Sequence, residues 1–260
     1  MKDNFEQRFK SNIREHFDDQ SLEILEAEGL DSFGSETMNF QLRDPYTYIE
    51  EKLLVDLDSK RILDFCCGTG IYSIYPAKHG ALVDGLDISP KSIEIAKQRA
   101  KHHDVSDRCE FKLSDVEQEK YGDKKYDIIL IYGSLSYLDI ESTFSKLSEA
   151  LKDKGTLIVI DSLGHNILFN LNRKKNLRNW ASRDVDKLKT IRKDDVFLGK
   201  KFFSQIDIKC FNLLTAGLYY INRSLGINIR IKPLHKLDEL LLKFPILKWQ
   251  GFKTVVVYRK

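Results

Sequence analysis

Cysteine is scarce in this chain of 260 residues: four, at positions 66, 67, 109 and 210, two of them adjacent and none in a Cys-x-x-Cys pair. A disulfide framework and a spaced zinc site are thereby set aside, and a reducing cytoplasm is the expected location. Long apolar runs are missing too; no stretch approaches the roughly 18 residues that a membrane span needs. The opening residues Met1-Lys2-Asp3-Asn4-Phe5 are charged and show no signal-type apolar core. Internal repeats and low-complexity linkers are also lacking, which argues against a repeat array. What is present is ordinary for a globular protein: 42% hydrophobic and 31% charged residues, enough apolar mass for a real core.

The net charge of +3 conceals a strong polarity. Residues 165–260 hold 21 Lys and Arg against 7 Asp and Glu, a net of +14, whereas residues 1–164 hold 21 against 32, a net of −11. Solvated helix faces are one explanation. The other is attraction to something anionic: a phosphorylated substrate, a membrane surface or nucleic acid.

Residues 1–45 mix charge with scattered apolar positions, with a helical pattern from Ser21 to Glu28 stopped by Gly29. Asp44-Pro45 introduces a helix predicted over Tyr46–Leu57. A regular alternation then begins. Short apolar strands are predicted at Arg61–Phe65, Ala81–Leu86, Cys109–Leu113, Tyr126–Ile131 and Gly155–Ile160, with helices at Ile71–His79, Ser89–His102 and Ile140–Leu151 between them. That pattern predicts a doubly wound, mostly parallel α/β sheet covered on both faces. Two late strands, Asp207–Leu213 and Thr254–Tyr258, would add an antiparallel edge, with a helical insertion at Leu214–Leu225 and Leu234–Leu242. Three regions follow: an N-terminal helical cap over 1–45, a ligand-binding α/β core over 46–165, and a basic helical lid with the closing strand pair over 166–260.

The first strand runs into Cys67-Gly68-Thr69-Gly70 and then directly into a helix. In open parallel sheets ligands lie beyond the carboxyl ends of the strands, against such a turn, where glycine lets the backbone approach closely. Acids stand at fitting distances. Asp87 ends the second strand and is placed to accept hydrogen bonds from both hydroxyls of a ribose. Asp64 interrupts an apolar strand end, and Asp115 follows the third strand where it could face an adenine amino group. A dinucleotide fold would want a third glycine three positions after Gly70; Ser73 stands there instead.

At these residues the chain resembles the class I S-adenosylmethionine-dependent methyltransferases. Leu63-Asp64-Phe65-Cys66-Cys67-Gly68-Thr69-Gly70 is similar to their first motif, and Gly85-Leu86-Asp87-Ile88-Ser89 to their ribose-binding segment. The resemblance covers roughly residues 45–165. It implies a Rossmann-like fold with S-adenosylmethionine as cofactor, the methionine end shaped by Asp64, Cys66, Gly68 and Gly70. It also implies that Asp87 holds the ribose, that Ile88 packs on the adenine and that Asp115 bonds its amino group, with Val116 and Tyr132 among the cofactor-binding residues. Cys66 stands where the family usually has glycine, and a cysteine backbone does not take a positive φ freely.

The acceptor is less constrained. The chain has Tyr132-Gly133-Ser134-Leu135 rather than the Asn/Asp-Pro-Pro-Tyr/Phe of amino-methylating enzymes that act on bases, and no Pro-Cys for attack on cytosine. No cluster of carboxylates with Asn suggests magnesium, so a metal-independent reaction is expected. Leu163-Gly164-His165-Asn166 resembles a Gly-His-Asn-Pro segment of many small-molecule methyltransferases, with Ile167 in place of the proline. His165, Tyr137 and Tyr132 are thus the candidate catalytic residues, His165 as a general base for a hydroxyl. Arg173-Lys174-Lys175, Arg178, Arg183 and Lys187 would form a basic lid over a partly anionic, partly apolar substrate. The expectation is O-methylation of a small, lipid-linked or nucleotide-linked molecule, with peripheral contact to an anionic membrane as a further partner and nucleic acid disfavoured. A non-catalytic module of the same fold is the alternative.

Overall fold

A computed structural model describes residues 2–166, 169–170 and 190–260 of the chain. The basic segment Arg173–Lys187 lies outside the described residues. Seven strands form one sheet in the order β3-β2-β1-β4-β5-β7-β6. They are β1 Arg61–Phe65, β2 Leu82–Asp87, β3 Cys109–Leu113, β4 Tyr126–Tyr132, β5 Leu151–Ser162, β6 Gln205–Phe211 and β7 Lys253–Arg259. The first five are mutually parallel, and β7 runs antiparallel between β5 and β6. Order reverses at β1, which has β2 on one side and β4 on the other, so the crevice at its carboxyl end is the switch point where such sheets take ligands.

Alternating side chains divide the core into two layers. Ile62, Leu130, Ile158 and Val257 face α3 (Ile71–Lys78) and α4 (Pro90–His102). Leu63, Phe65, Ile129, Ile131 and Val159 face α5 (Ile140–Ala150) and α6 (Lys193–Leu198). Strands buried on both faces read as continuous apolar runs, which is why β4 and the end of β5 were so plain in the sequence. Capping fixes the helix starts: Ser89 accepts the Ser92 N–H at 2.9 Å with Pro90 at the first turn, and Asp139 accepts the Ser142 N–H at 2.8 Å.

The N-terminal region differs most from the pattern reading. Helix α1 runs from Lys2 to Glu28, not only from Ser21. It lies along α4: Asp18 Oδ1 accepts from Ser89 Oγ at 2.5 Å and from the Lys91 N–H at 3.1 Å, and the Ser21 and Ser92 hydroxyls are 2.6 Å apart. An acid at the first turn of α4 suits the positive end of that helix. Beyond α1, Arg99 is fully buried and donates to the carbonyls of Gly29, Leu30, Ser32 and Thr69. One guanidinium thus ties the end of α1 to the glycine turn.

The helix predicted over Tyr46–Leu57 is shorter and irregular. Helix α2 spans Asp44–Tyr48 and opens into a wide turn over Ile49–Leu53, closed by the Leu54 N–H to Ile49 C=O bond at 2.8 Å. There the buried Glu50 accepts the Ser35 N–H at 2.7 Å, a partner forty-odd atoms of backbone away that no helical periodicity announces. Strand β5 starts at Leu151, four residues before the predicted start, because Leu151 pairs with Tyr126 ahead of an irregularity in the ladder. The insertion between β6 and β7 holds α7 (Leu214–Leu225), α8 (Lys232–Leu241) and α9 (Pro245–Lys248).

Candidate functional site

A cavity of about 170 Å³ opens at the carboxyl ends of β1, β2, β3 and β4. Its floor is the turn after β1, with Cys66 and Gly68; Asp87 and Ile88 come from the end of β2, Asp115 and Val116 from beyond β3, Tyr132 from the end of β4, and Ser134 and Tyr137 from beyond it. Seven of the expected cofactor residues therefore meet in one place: Cys66, Gly68, Asp87, Ile88, Asp115, Val116 and Tyr132. A larger groove of about 530 Å³ runs between α2, β6 and α8, but it shares no residue with this cavity and holds none of the motif.

The turn is built around Asp87. Its Oδ2 accepts the Gly68 N–H and its Oδ1 the Ser89 N–H, both at 2.9 Å, so one carboxylate pins the glycine turn to the start of α4. Burial raises its pKa, and the backbone amides oppose that rise. Gly68 has φ of +51°, and a Cβ there would meet nothing within 4 Å, so the backbone faces open space. Gly70 serves differently. Its φ is +73°, and a Cβ would come within 3.0 Å of Ala96 Cβ, so it lets the turn pack on α4 and does not line the cavity.

Asp64 also lies under the turn, not on the cavity wall. It is 1% exposed and accepts from Ser73 Oγ at 2.5 Å. Burial pushes its carboxyl up to about 7 in spite of that bond, with the Asp87 charge adding to the rise. Ser73, which replaces the third glycine of a dinucleotide motif, is thus the partner of the buried acid. Cys66 corrects the expectation drawn from its backbone: it adopts φ of +65°, the conformation glycine would take there. Burial, with Asp87 nearby, pushes its thiol well up, so it is no reactive thiolate.

Tyr132 stacks on Tyr72 with ring centroids 4.1 Å apart and planes 9° apart, and Tyr46 stacks on Tyr72 at 5.4 Å. Burial pushes the Tyr132 phenol far above its ordinary value, so it stays protonated and is not a base. Tyr137 lines the cavity and packs edge-on against Phe17 at 5.4 Å. His165 does not reach the cavity. Its Nε2 accepts the Lys193 N–H at 2.9 Å and its ring tilts against Trp249 at 5.8 Å. Burial and the Arg192 charge lower its pKa. The nitrogen that would take a proton is held by backbone, and the expected general base is not in position here.

Four residues that motif reading missed come from α1: Lys10, Ile13, Phe17 and Gln20 close the cavity. Lys10 Nζ sits 2.7 Å from Asp115 Oδ2 and 3.1 Å from Glu117 Oε2. Burial alone would lower its pKa, but the bonds to the two acids outweigh that and hold the ammonium above its usual value. The ammonium therefore occupies the acid expected to hold an adenine. The apolar spacing of Ile13 and Phe17 was the available signal, since positions four apart share a face. Among the described residues no group of three or more His, Cys, Asp or Glu could hold a metal.

Residues 62–155 match a family model described as a methyltransferase domain. Among curated proteins, the sterol 4-C-methyltransferase of Caenorhabditis elegans is 27% identical over 52% of this chain and 40% of its own length. The ubiquinone biosynthesis O-methyltransferase of Coxiella burnetii is 29% identical over 46% of this chain and 49% of its own. The chain thus spans about half the length, or less, of these relatives. Among solved structures, a geranyl diphosphate C-methyltransferase from Streptomyces coelicolor superposes with a TM-score of 0.64 at 12% identity, covering 96% of both chains. A magnesium protoporphyrin IX methyltransferase from Synechocystis gives 0.59 at 17% identity, covering 97% of this chain and all of that one. At such identities the likeness shows the fold.

Proposed function

We propose, from the methyltransferase-domain match over residues 62–155, that this chain is a class I S-adenosylmethionine-dependent methyltransferase and that it transfers a methyl group to an oxygen of a small or lipid-linked, partly anionic acceptor. The observation that carries the proposal is the convergence of Asp87, Asp115 and the open Gly68 backbone at the switch point of the sheet. Side chains and backbone fit the donor on their own chemistry. Gly68 leaves room for a ligand against the backbone, and Ser134, beside the Cys66 thiol, adds a hydroxyl to the cavity wall. Asp87 already accepts from the Gly68 and Ser89 N–H groups, and an ionised carboxylate has about four acceptor sites, so acceptor capacity remains for a ribose hydroxyl.

The donor, when bound, supplies a methyl group on a positively charged sulfur that a nucleophile can attack. This chain's part is to bind, orient and exclude water. Asp87 and Asp115 fix the nucleoside end, and Ile88 and Val116 supply apolar walls for its base. Tyr132, Ser134 and Tyr137 then bound the space where donor and acceptor would meet. With Tyr132 protonated and His165 outside the cavity, rate enhancement comes from alignment and desolvation of the acceptor oxygen, not from a fixed base. Methyl-labelled donor incubated with soluble phosphorylated alcohols and with lipid-linked acceptors tests the reading. Label should pass to one of the two classes and be lost with Asp87→Asn. Donor binding without transfer to either class would refute O-methylation of such acceptors.

A further inference from the structure

The insertion between β6 and β7 carries a surface that methyl transfer does not use. Among the described residues thirteen large hydrophobic side chains are exposed, and nine of them fall between positions 221 and 246. They are grouped. Ile221 and Leu225 stand one turn apart on α7, and Leu237 and Leu240 share a face of α8, which packs against α7. The link between the helices holds Ile227, Ile229 and Ile231 at alternate positions, each 41–48% exposed. After α8 come Phe244 at 56% and Ile246 at 87%. Monomeric surfaces scatter such residues singly; a concentration of this kind marks a contact.

Charge says what kind. Arg223, Arg230, Lys232, Lys236 and Lys243 are all exposed in the same stretch. Its only acids are Asp238 and Glu239. Asp238 is buried and accepts from the Leu214 and Thr215 N–H groups, and Glu239 faces Lys209 at 3.6 Å. Exposed aliphatic side chains interspersed with five exposed cations have the composition of a segment lying in a lipid interface. A second copy of the chain would bring five cations against five. Single-stranded nucleic acid would want exposed aromatic stacking platforms, and eight of the nine side chains are aliphatic.

We propose that residues 221–246 form a docking surface for an anionic lipid bilayer. Among the described residues no helix is long and apolar enough to cross a membrane, so the contact is peripheral. Its place in the fold gives the contact a use. Ser162 at the end of β5 pairs with Lys253 at the start of β7, and the insertion leaves the sheet after Phe211. It therefore rises from the carboxyl end of the sheet, the end that carries the donor cavity. A bilayer held there would present its lipids to that end; this consequence rests on the methyl-transfer reading, whereas the docking does not.

Flotation of the full chain with vesicles decides the matter. Phosphatidylcholine vesicles containing phosphatidylglycerol should carry the protein, pure phosphatidylcholine should not, and added salt should release it. Arg230→Ala with Lys232→Ala should weaken partitioning by about 25-fold, fivefold for each cation. Ile246→Asp should weaken it by about tenfold or more. Binding of S-adenosylhomocysteine, measured in the same variants, should be unchanged, which separates loss of the surface from loss of the fold or of the donor site. Binding that ignores lipid charge and salt, or variants that float like the wild type, would overturn the proposal. So would a salt-insensitive dimer dissolved by Ile246→Asp, or RNA binding abolished by the two cation changes with no binding to vesicles.

Discussion

Replacing Lys10 with methionine should tighten cofactor binding. The ammonium bridges Asp115 Oδ2 and Glu117 Oε2 at 2.7 and 3.1 Å inside the cavity, with side chains only 18–29% exposed. The ammonium sits on Asp115 Oδ2 while Oδ1 accepts the Glu117 N–H at 3.1 Å, so an adenine amino group reaching this carboxylate meets the lysine in its path. The free volume of about 170 Å³ is also below the ~300–1,000 Å³ usual for ligand sites, because α1 fills part of the crevice. The donor must therefore displace Lys10 before it seats. A hydrogen bond to a charged group contributes roughly 1.5–3 kcal/mol and an exposed ion pair roughly 0–1, so a half-buried pair is worth about 1–2. The binding-competent fraction is then about 0.03–0.2, and apparent affinity is reduced by that fraction. Lys10→Met keeps the apolar stem and removes the charge; affinity for S-adenosylhomocysteine should rise about 5- to 30-fold at low salt. Raising the salt should strengthen wild-type binding and narrow the gap. Calorimetric titration of both proteins at two ionic strengths is the assay. Weaker binding by Lys10→Met would mean that the lysine holds the ligand, and the competition argument would fail.

Three further outcomes follow from the turn. Asp87→Asn should weaken the same binding by more than tenfold, since it replaces charge-assisted bonds to the ribose with neutral ones of ~1 kcal/mol each; an unchanged affinity would remove Asp87 from the ribose. Gly70→Ala places a Cβ at 3.0 Å from Ala96 Cβ on a backbone at φ +73°, and should cost ~2 kcal/mol, a melting drop of roughly 4–8 °C. Asp64 has a folded-state pKa of about 7, above the ~3.9 of an unfolded aspartate, so the native chain binds more protons between those values and its stability falls as pH rises through that window. Asp64→Asn, which keeps an acceptor for Ser73 Oγ, should therefore gain on the wild type from pH 4 to pH 7, by at most ~4 kcal/mol in urea melts; a gap that stays flat with pH would show that Asp64 is ionised throughout.

What the sequence made legible was local. Strand, turn and helix over 61–102 follow from apolar runs broken by glycine and from Ser89-Pro90, and they carry Asp87 to the floor of the cavity without reference to distant residues. Asp115 was placed by the same logic, one strand further on. Lys10 was not legible, because its partner lies 105 positions away; the spacing of Ile13 and Phe17 marks a covered face of α1 but not the element that it covers. Glu50 and Arg99 escaped for the same reason: buried charges satisfied by backbone groups from other elements leave no periodic trace. His165 was misplaced by a short likeness; four residues cannot fix where a loop after β5 points, and the loop turns toward Lys193 and Trp249. Cys66 shows a limit of steric expectation, since the packing of the turn holds a cysteine in a conformation that it disfavours by itself.

The most direct measurement is calorimetric titration of the wild-type chain with S-adenosylhomocysteine. One molecule should bind per chain, with affinity lowered by Asp87→Asn and raised by Lys10→Met. No binding at millimolar ligand, in the wild type and in Lys10→Met alike, would contradict the assignment of the cavity to the methyl donor.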